Sequence, residues 1–220
     1  MHLILNLKTY PEATGDNAVR LAEIISRVET PTDLDIVICP QAADIFRIRE
    51  NCPNLTIWAQ HVDPVEAAKN TGWTSATSLI LAGATGTLIN HSEHKLEEAD
   101  IQKVLEITRH YQMTSCLAVP DVETAQKFAT LQPDMLAFEP PQLISTGTSL
   151  VDSDPAAAKQ FVDTLQNSAI KLVLGAGIAD ARDIQTAKQL GYQGILLSSA
   201  FVKATDPQAF LQEMIEAFAT

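Results

Sequence analysis

Polar and titratable side chains stand where several apolar runs of the chain end. The stretch LINHSEHK passes from an apolar run into His91, and a run near the N-terminus ends in Asn6 and Lys8. A third run ends in Glu139, which two prolines follow. An imidazole can polarise a carbonyl group, a carboxylate can remove a proton from the neighbouring carbon, and a lysine can attract an anion. Together these groups suit proton abstraction next to the carbonyl of a small phosphorylated substrate.

Two turns of small residues are candidates for the phosphate site. GAG at 175–177 and SSA at 198–200 each end an apolar run and precede a segment with a helical pattern. Backbone N–H groups just before a helix start favour a bound anion, and Lys8 would add a positive charge nearby. The candidate backbone donors are those at Gly177, Ser198 and Ser199.

Eight apolar runs have the composition of strands. They are continuous rather than alternating, as expected for parallel strands that are covered on both faces. In the first of them, Asn6 and Lys8 alternate past Leu7 and would therefore point to the same side. The predicted strands are 3–8, 35–40, 55–60, 85–91, 114–120, 134–139, 171–177 and 194–200.

Helical patterns separate the predicted strands. Residues 95–112 place acidic side chains early and basic ones late, which matches the helix dipole. Asp154-Pro155 and Asp206-Pro207 have the form of an N-cap followed by proline, while the helix around 41–50 is short. Eight strand–helix units without a flexible linker predict an α/β protein with one domain over residues 1–220, a (β/α)8 barrel.

The structural alternative is a doubly wound open sheet. Its first strand–helix turn should be rich in glycine if it binds a dinucleotide. Here that turn reads NLKTYPEATG, which lacks this fingerprint, so the barrel is favoured. In a barrel the active site lies at the C-terminal ends of the strands, where the candidate residues fall.

The composition excludes several classes of function. The formal net charge is −12, which opposes binding to nucleic acid or to anionic membranes. No stretch approaches the roughly 20 apolar residues of a membrane-spanning helix, and MHLILNLK is too short and too soon charged for a signal peptide. The three cysteines share no metal-type spacing and read as free thiols in a reducing cytosol. We therefore expect a soluble cytoplasmic protein that needs no metal or cofactor.

Longer stretches around these residues resemble the triosephosphate isomerase family, in particular its short form common in archaea. Asn-x-Lys, His-Ser-Glu and Glu-Pro-Pro occur in this order on the predicted first, fourth and sixth strands, and the combination is specific. The resemblance runs from the first strand to the eighth. It implies a TIM barrel with aldose–ketose isomerase activity. The matching stretches are 6–15, 59–64, 86–95, 138–147, 174–178 and 194–207.

The resemblance implies roles for the candidate residues. Glu139 would shuttle a proton between two carbons of the triose phosphate. His91 would be the electrophile, a neutral imidazole at a helix N-terminus, an assignment for which this family is itself the standard example. Lys8 would stabilise the enediolate and attract the dianion, while Asn6 would donate a hydrogen bond to the same oxygen. Glu93 would support the site by pairing with Lys8 or, before catalysis, with another basic group.

The resemblance also implies supporting groups. Segment 140–152 would be a lid that closes and excludes water. Ile144 on the lid and Leu196 on the eighth strand would clamp the Glu139 carboxylate and make it more basic, because desolvation disfavours its charged form. Ser92 would help to orient the neighbouring imidazole. Phosphate would be held by backbone around Ser145, Gly177, Ser198 and Ser199.

The chain departs from the family pattern at Ser145, where the family usually has glycine and where a positive φ would be costly for serine. His61 and Asp63 belong to the short-form pattern and read as structural or interface residues. The family implies a homo-oligomer, a dimer or a tetramer, that acts on a small phosphorylated triose.

Two other functions remain open at this stage. The barrel could bind a phosphorylated metabolite as a sensor or scaffold without converting it. It could also be a Schiff-base aldolase that uses Lys8 or Lys203, but such a lysine should be desolvated and readily deprotonated. Asn6 and Glu93 would instead keep Lys8 charged.

Overall fold

Eight parallel strands close into a barrel in chain order in the computed structural model, which describes residues 1–143, 149–178 and 180–219. The first strand pairs with both the second and the eighth, and this double pairing closes the sheet. The (β/α)8 barrel expected from the sequence is therefore confirmed, and the open sheet is excluded. The strands are β1 His2–Asn6, β2 Asp35–Cys39, β3 Thr56–Ala59, β4 Gly86–Ile89, β5 Thr114–Val119, β6 Met135–Phe138, β7 Lys171–Leu174 and β8 Gly194–Leu197.

Helices surround the barrel and follow the strands along the chain. Short 3-10 turns lie at Pro11–Ala13 and Pro141–Leu143. The α-helices are α1 Asp16–Arg27, α2 Ala42–Asn51, α3 Ala76–Ala82, α4 Glu98–His110, α5 Val122–Ala129, α6 Leu150–Ser153, α7 Pro155–Leu165, α8 Ala181–Leu190, α9 Ser199–Val202 and α10 Pro207–Ala219.

Two apolar layers explain why the strands are continuous apolar runs. Side chains that point outward from the sheet pack under the helices, and those that point inward fill the barrel. With both faces covered, polar positions within the strands are few, as parallel barrels require. The inward layer consists of Ile4, Val37, Cys39, Trp58, Leu88, Cys116, Met135, Ala137, Val173 and Leu196.

The strands that carry candidate residues end earlier than the sequence predicts. β1 ends at Asn6, and Lys8 has a φ of +48°. β4 ends at Ile89, and Asn90 has a φ of +59°. Asn6 and Lys8 nevertheless line one cavity, as the prediction that they point to the same side requires. Strand alternation is not the reason, because the chain has already left the extended conformation at Lys8.

The helix starts were predicted with mixed success. Asp154 and Asp206 accept hydrogen bonds from the backbone three residues ahead, as the N-cap pattern requires. The short second helix is also found, as α2. However, α4 begins only at Glu98, so the prediction that a helix N-terminus adjoins His91 is wrong. A turn follows instead, in which the His94 N–H donates to the His91 carbonyl.

The cysteines at 39, 52 and 116 are free and buried. Among the described residues, no helix combines the length and the apolar character that crossing a bilayer requires.

Candidate active site

The ends of β1, β3 and β4 surround a cavity of about 470 Å³. Its lining is polar and charged, because each of these strands passes from buried apolar residues into a polar side chain at the same rim. The cavity therefore lies where a barrel enzyme would bind its substrate. Its lining residues are Asn6, Lys8, Thr9, Tyr10, Gln60, His61, His91, Glu93 and His94.

Lys8 is held at this rim by several polar contacts. Its Nζ lies 2.7 Å from Glu93 Oε1, and its backbone N–H donates to Asn6 Oδ1 at 3.0 Å. Its carbonyl accepts a hydrogen bond from Gln60 Nε2. The residue is buried, so its ammonium is compensated by the carboxylate rather than by bulk water. This pairing opposes the Schiff-base hypothesis, which needs an uncharged amine.

The imidazole of His91 lies next to the carboxylate of Glu139. The Glu93 N–H donates to His91 Nδ1 at 3.2 Å, so Nδ1 is an acceptor and a neutral ring carries its hydrogen on Nε2. That Nε2 lies 3.6 Å from Glu139 Oε2. Burial lowers the pKa of His91, and Lys8 lowers it further, against the opposite effect of Glu93. The ring is therefore neutral at pH 7.

Glu139 is a buried carboxylate without a full set of partners. Only 2% of its surface is exposed, and its Oε2 has no hydrogen-bond partner among the described residues. Burial raises the pKa of Glu139 to about 8, with Lys8 lowering it and Glu93 raising it. A carboxylate in this environment is a stronger base than an exposed one. The unpartnered oxygen is free to accept a proton.

Ser92 lines a hollow next to this carboxylate. This second hollow is smaller, about 170 Å³, and Glu139, Asn90 and Pro141 also line it. Most of the other lining residues of this hollow are apolar, which agrees with the desolvation of the carboxylate. Ser92 is thus close to the predicted base as well as to His91.

The candidate phosphate-binding residues follow the last two strands. Gly177 has a φ of +70°, and the next helix begins at Ala181. Ser199 is the first residue of α9, and the Oγ of Ser198 is buried without a hydrogen-bond partner within the described ranges. These positions stay predictions as phosphate donors.

The remaining predicted site residues lie partly outside the described part of the chain. Leu196 is one of the side chains that fill the barrel interior. Ile144 and Ser145 fall within 144–148, which are not described, and so does the middle of the predicted lid 140–152. Their roles also stay predictions.

His61 and Asp63 tie down the loop that follows β3. His61 Nε2 lies 3.1 Å from Asp63 Oδ1, and the His61 ring stacks on His94 with 4.0 Å between centroids. Asp63 also accepts the Thr74 N–H at 2.6 Å. These contacts support the structural reading of the pair, while an interface role is untested.

No individual role was predicted from the sequence for three neighbours of the site, although one of them, Gly175, belongs to the GAG turn. Gln60 contacts Lys8, Asn90 precedes His91 in a left-handed conformation, and Gly175 leaves room for the Glu139 side chain. Gln60 carries the same signal as the chosen residues, since a polar side chain directly follows an apolar strand. Asn90 was also visible, because asparagine is among the residues that tolerate a positive φ.

No metal centre is formed by the described residues, since no group of three or more His, Cys, Asp or Glu side chains is arranged to hold an ion. The polar groups at the rim are instead paired with one another or directed toward the cavity. Their arrangement suits acid–base chemistry on a small anionic molecule.

Comparison with known proteins agrees with this geometry. The family model described as triosephosphate isomerase matches residues 1–218. Proteins named triosephosphate isomerase from Methanobrevibacter smithii and Methanosarcina acetivorans are each 38% identical over 215 residues, which is 97% of this chain and 96% of each relative. One from Methanocaldococcus jannaschii is 33% identical over 218 residues, 98% of this chain and 99% of the relative. The chain therefore belongs to the triosephosphate isomerase family.

Proposed function

We propose that the protein interconverts D-glyceraldehyde 3-phosphate and dihydroxyacetone phosphate by proton transfer through an enediolate. The family match over nearly the whole chain supports the reaction, because the archaeal relatives carry this name. The reaction moves one proton between adjacent carbons and one between their oxygens, so nothing is oxidised or reduced overall. It requires no cofactor.

Glu139 is the proposed base. Its carboxylate removes a proton from the carbon next to the carbonyl, and the electron pair of the broken C–H bond moves toward the carbonyl oxygen. The resulting carboxylic acid returns the proton to the adjacent carbon. The raised pKa of Glu139, about 8, favours both steps, because the group accepts a proton readily and holds it during the lifetime of the enediolate.

His91 and Lys8 are the proposed partners of the developing negative charge. The Nε2–H of His91 is available to donate to a substrate oxygen, since Nδ1 is already engaged by the Glu93 N–H. Lys8 supplies a fixed positive charge, and Asn6 lies beside it at the same rim. Groups fixed in advance in this way stabilise charge in the transition state without reorganising.

Substrate binding and assembly would involve residues beyond this rim. Backbone around Gly177, Ser198 and Ser199 would hold the phosphate, and residues 140–152 would close over it. The protein would act as a homo-oligomer, a dimer or tetramer, in the cytoplasm, as the family resemblance implies. Among the described residues, the phosphate site is supported by the Oγ of Ser198. This oxygen is buried without a hydrogen-bond partner and suits a hydrogen bond to an anion.

The observation that carries the proposal is the 3.6 Å separation between His91 Nε2 and Glu139 Oε2. At this distance both groups can reach one three-carbon molecule. A coupled assay with glyceraldehyde 3-phosphate tests it, using Glu139→Gln as the variant and Glu216→Gln on the outer helix α10 as the control. We expect kcat to fall roughly a thousandfold or more for Glu139→Gln, with no loss for the control.

The hypothesis that the protein binds the triose phosphate without converting it predicts a different result. In that case glyceraldehyde 3-phosphate would raise the melting temperature of the native chain, yet the coupled assay would show no product. Near-native turnover by Glu139→Gln would likewise remove Glu139 from the proposed role.

A further inference from the structure

We propose that Gln60 is a positioning residue for Lys8, and that it keeps the Lys8 ammonium at the substrate cavity by holding the backbone of that residue. The inference rests on the proposed function, because it assumes that the cation acts on the substrate. The side chain of Gln60 donates to the Lys8 carbonyl at 3.0 Å, across 52 positions of sequence.

The backbone of Lys8 needs such a restraint. Its φ of +48° lies in the left-handed region, where glycine is usual and a residue with a Cβ is strained. Glycine would remove the strain, but it would also remove the ammonium. The strained conformation persists only where the surroundings fix it.

Gln60 can hold the backbone of Lys8 in this conformation from the neighbouring strands. It follows β3 directly, and its Nε2 donates to the carbonyls of both Lys8 and Cys39, at 3.0 and 2.9 Å. The Cys39 carbonyl also accepts the Leu7 N–H at 3.0 Å. One amide group therefore connects the ends of β1, β2 and β3 at the point where the chain turns left-handed.

The chemistry of the amide is specific to this task. A primary amide carries two N–H donors on one nitrogen, so a single side chain can donate to both carbonyls at once. Glutamate has the same shape but offers only acceptors when ionised, so it would face two carbonyl oxygens with a negative charge. Methionine has a similar length and no donor.

Three neighbours each contact a different group of Lys8. Asn6 Oδ1 accepts its backbone N–H, Glu93 Oε1 pairs with its Nζ, and Gln60 holds its carbonyl. The carbonyl contact restrains the peptide that follows Lys8. Without it the peptide can rotate, and the side chain that starts from the same Cα moves with it.

A double-mutant cycle tests the inference on the full chain. We expect Gln60→Met to lower kcat/KM for glyceraldehyde 3-phosphate by about 10- to 100-fold, as expected for a misplaced catalytic group. Inhibition by inorganic phosphate should weaken in parallel, because the cation attracts the anion. In a Lys8→Met background the same Gln60→Met change should cost less than roughly threefold, since residues that act through one another are not additive.

One control and one further variant separate a positioning role from an effect on stability. Gln166→Met removes an exposed amide that bonds only locally, at the end of α7, and should leave the kinetics unchanged. Gln60→Glu keeps the size of the side chain and should impair kcat/KM at least as much as Gln60→Met. It also replaces the methionine variant in the cycle if that variant does not fold.

The outcomes are distinct. An equal loss from Gln60→Met in both backgrounds, or native kinetics in Gln60→Glu, would overturn the positioning role. Native turnover in Lys8→Met alone would instead overturn the role of Lys8 in the proposed function.

Discussion

Gly175 and Glu139 share a space that admits only one side chain. A Cβ built on Gly175 would lie 2.5 Å from Glu139 Cγ and 2.9 Å from its Oε1. The two residues lie on neighbouring strand ends, which the Gly175 N–H joins by donating to the Phe138 carbonyl. The glycine is therefore required for the position of the carboxylate.

Gly175→Ala should displace Glu139 and lower kcat. The contact is with the Cγ near the backbone rather than with the tip of a flexible chain, so the carboxylate has to shift. Because a misplacement of about 1 Å can cost as much as a hundredfold in rate, we expect a loss of at least roughly tenfold. The coupled assay and a thermal melt measure the effect on kcat and on stability.

Gly194→Ala is the matched control for crowding. A Cβ at Gly194 would lie 3.0 Å from Val173 Cγ2, but at the N-terminal end of β8, away from the site. This variant should lose stability while its kcat stays native. If Gly194→Ala lowers kcat as much as Gly175→Ala does, crowding at the carboxylate is not the cause.

The raised pKa of Glu139 makes a prediction about stability. Burial raises it from 4.5 to about 8, so between these pH values the folded state binds more protons than the unfolded state. The free energy of unfolding contributed by this group is thus highest below pH 4.5 and is lost as the pH rises through 8. Glu139→Gln removes the ionisation, so the variant should gain stability relative to the native chain at pH 9 but not at pH 4.5.

The size of that gain is on the order of 5 kcal/mol, from about 1.4 kcal/mol for each pKa unit between 4.5 and 8. Urea unfolding of both chains at several pH values measures it. A constant difference between the two chains across this range would contradict the raised pKa of Glu139.

The hydrogen bond from the Glu93 N–H to His91 Nδ1 makes a prediction about the tautomer of the ring. Nitrogen-15 NMR at pH 7 should show a neutral His91 with its hydrogen on Nε2. Since burial lowers its pKa, the ring should remain neutral below pH 6.5, where a histidine of the unfolded chain becomes charged. A hydrogen on Nδ1, or a charged ring at pH 7, would contradict the arrangement.

The fold was largely predictable from sequence because its signal is repeated eight times. Each strand is an apolar run, and each run is followed by a helical pattern, so an error in one element does not change the topology. The prediction was least accurate at the strand ends. Lys8 and Asn90 leave the extended conformation through positive φ angles, which no pattern of hydrophobicity encodes.

The candidate site was predictable only as a set of residue types. Asn6, Lys8 and His91 could be placed at one rim because parallel strands end together, and the structure brings them into one cavity. Two features of the site depend on differences of a few tenths of an ångström between atoms. They are the hydrogen bond that defines the imidazole tautomer and the space that Gly175 leaves for Glu139. Such distances follow from packing between strands far apart in sequence, and so they required coordinates.

The opposite face of the barrel carries a second buried imidazole, that of His2. Its Nε2 lies 2.9 Å from Lys171 Nζ, and an ammonium can only donate, so Nε2 accepts and Nδ1 carries the hydrogen. Nδ1 lies 3.5 Å from Asp35 Oδ2. Burial lowers the pKa of His2 to about 4, Lys171 and the N-terminal amine lower it as well, and Asp35 opposes them.

This imidazole should make the protein sensitive to acid. Between pH 6.5 and about 4 the unfolded chain binds a proton at His2 that the folded chain does not, so stability falls as the pH falls through this range. His2→Gln keeps an acceptor for Lys171 but cannot ionise, and should therefore be more stable than the native chain at pH 4, by on the order of 2 kcal/mol. Lys171→Met removes a charge that depresses the pKa of His2 and should weaken the acid sensitivity in part. Urea unfolding from pH 7 to pH 4 compares the three chains, and parallel curves for all of them would show that His2 does not govern the acid response.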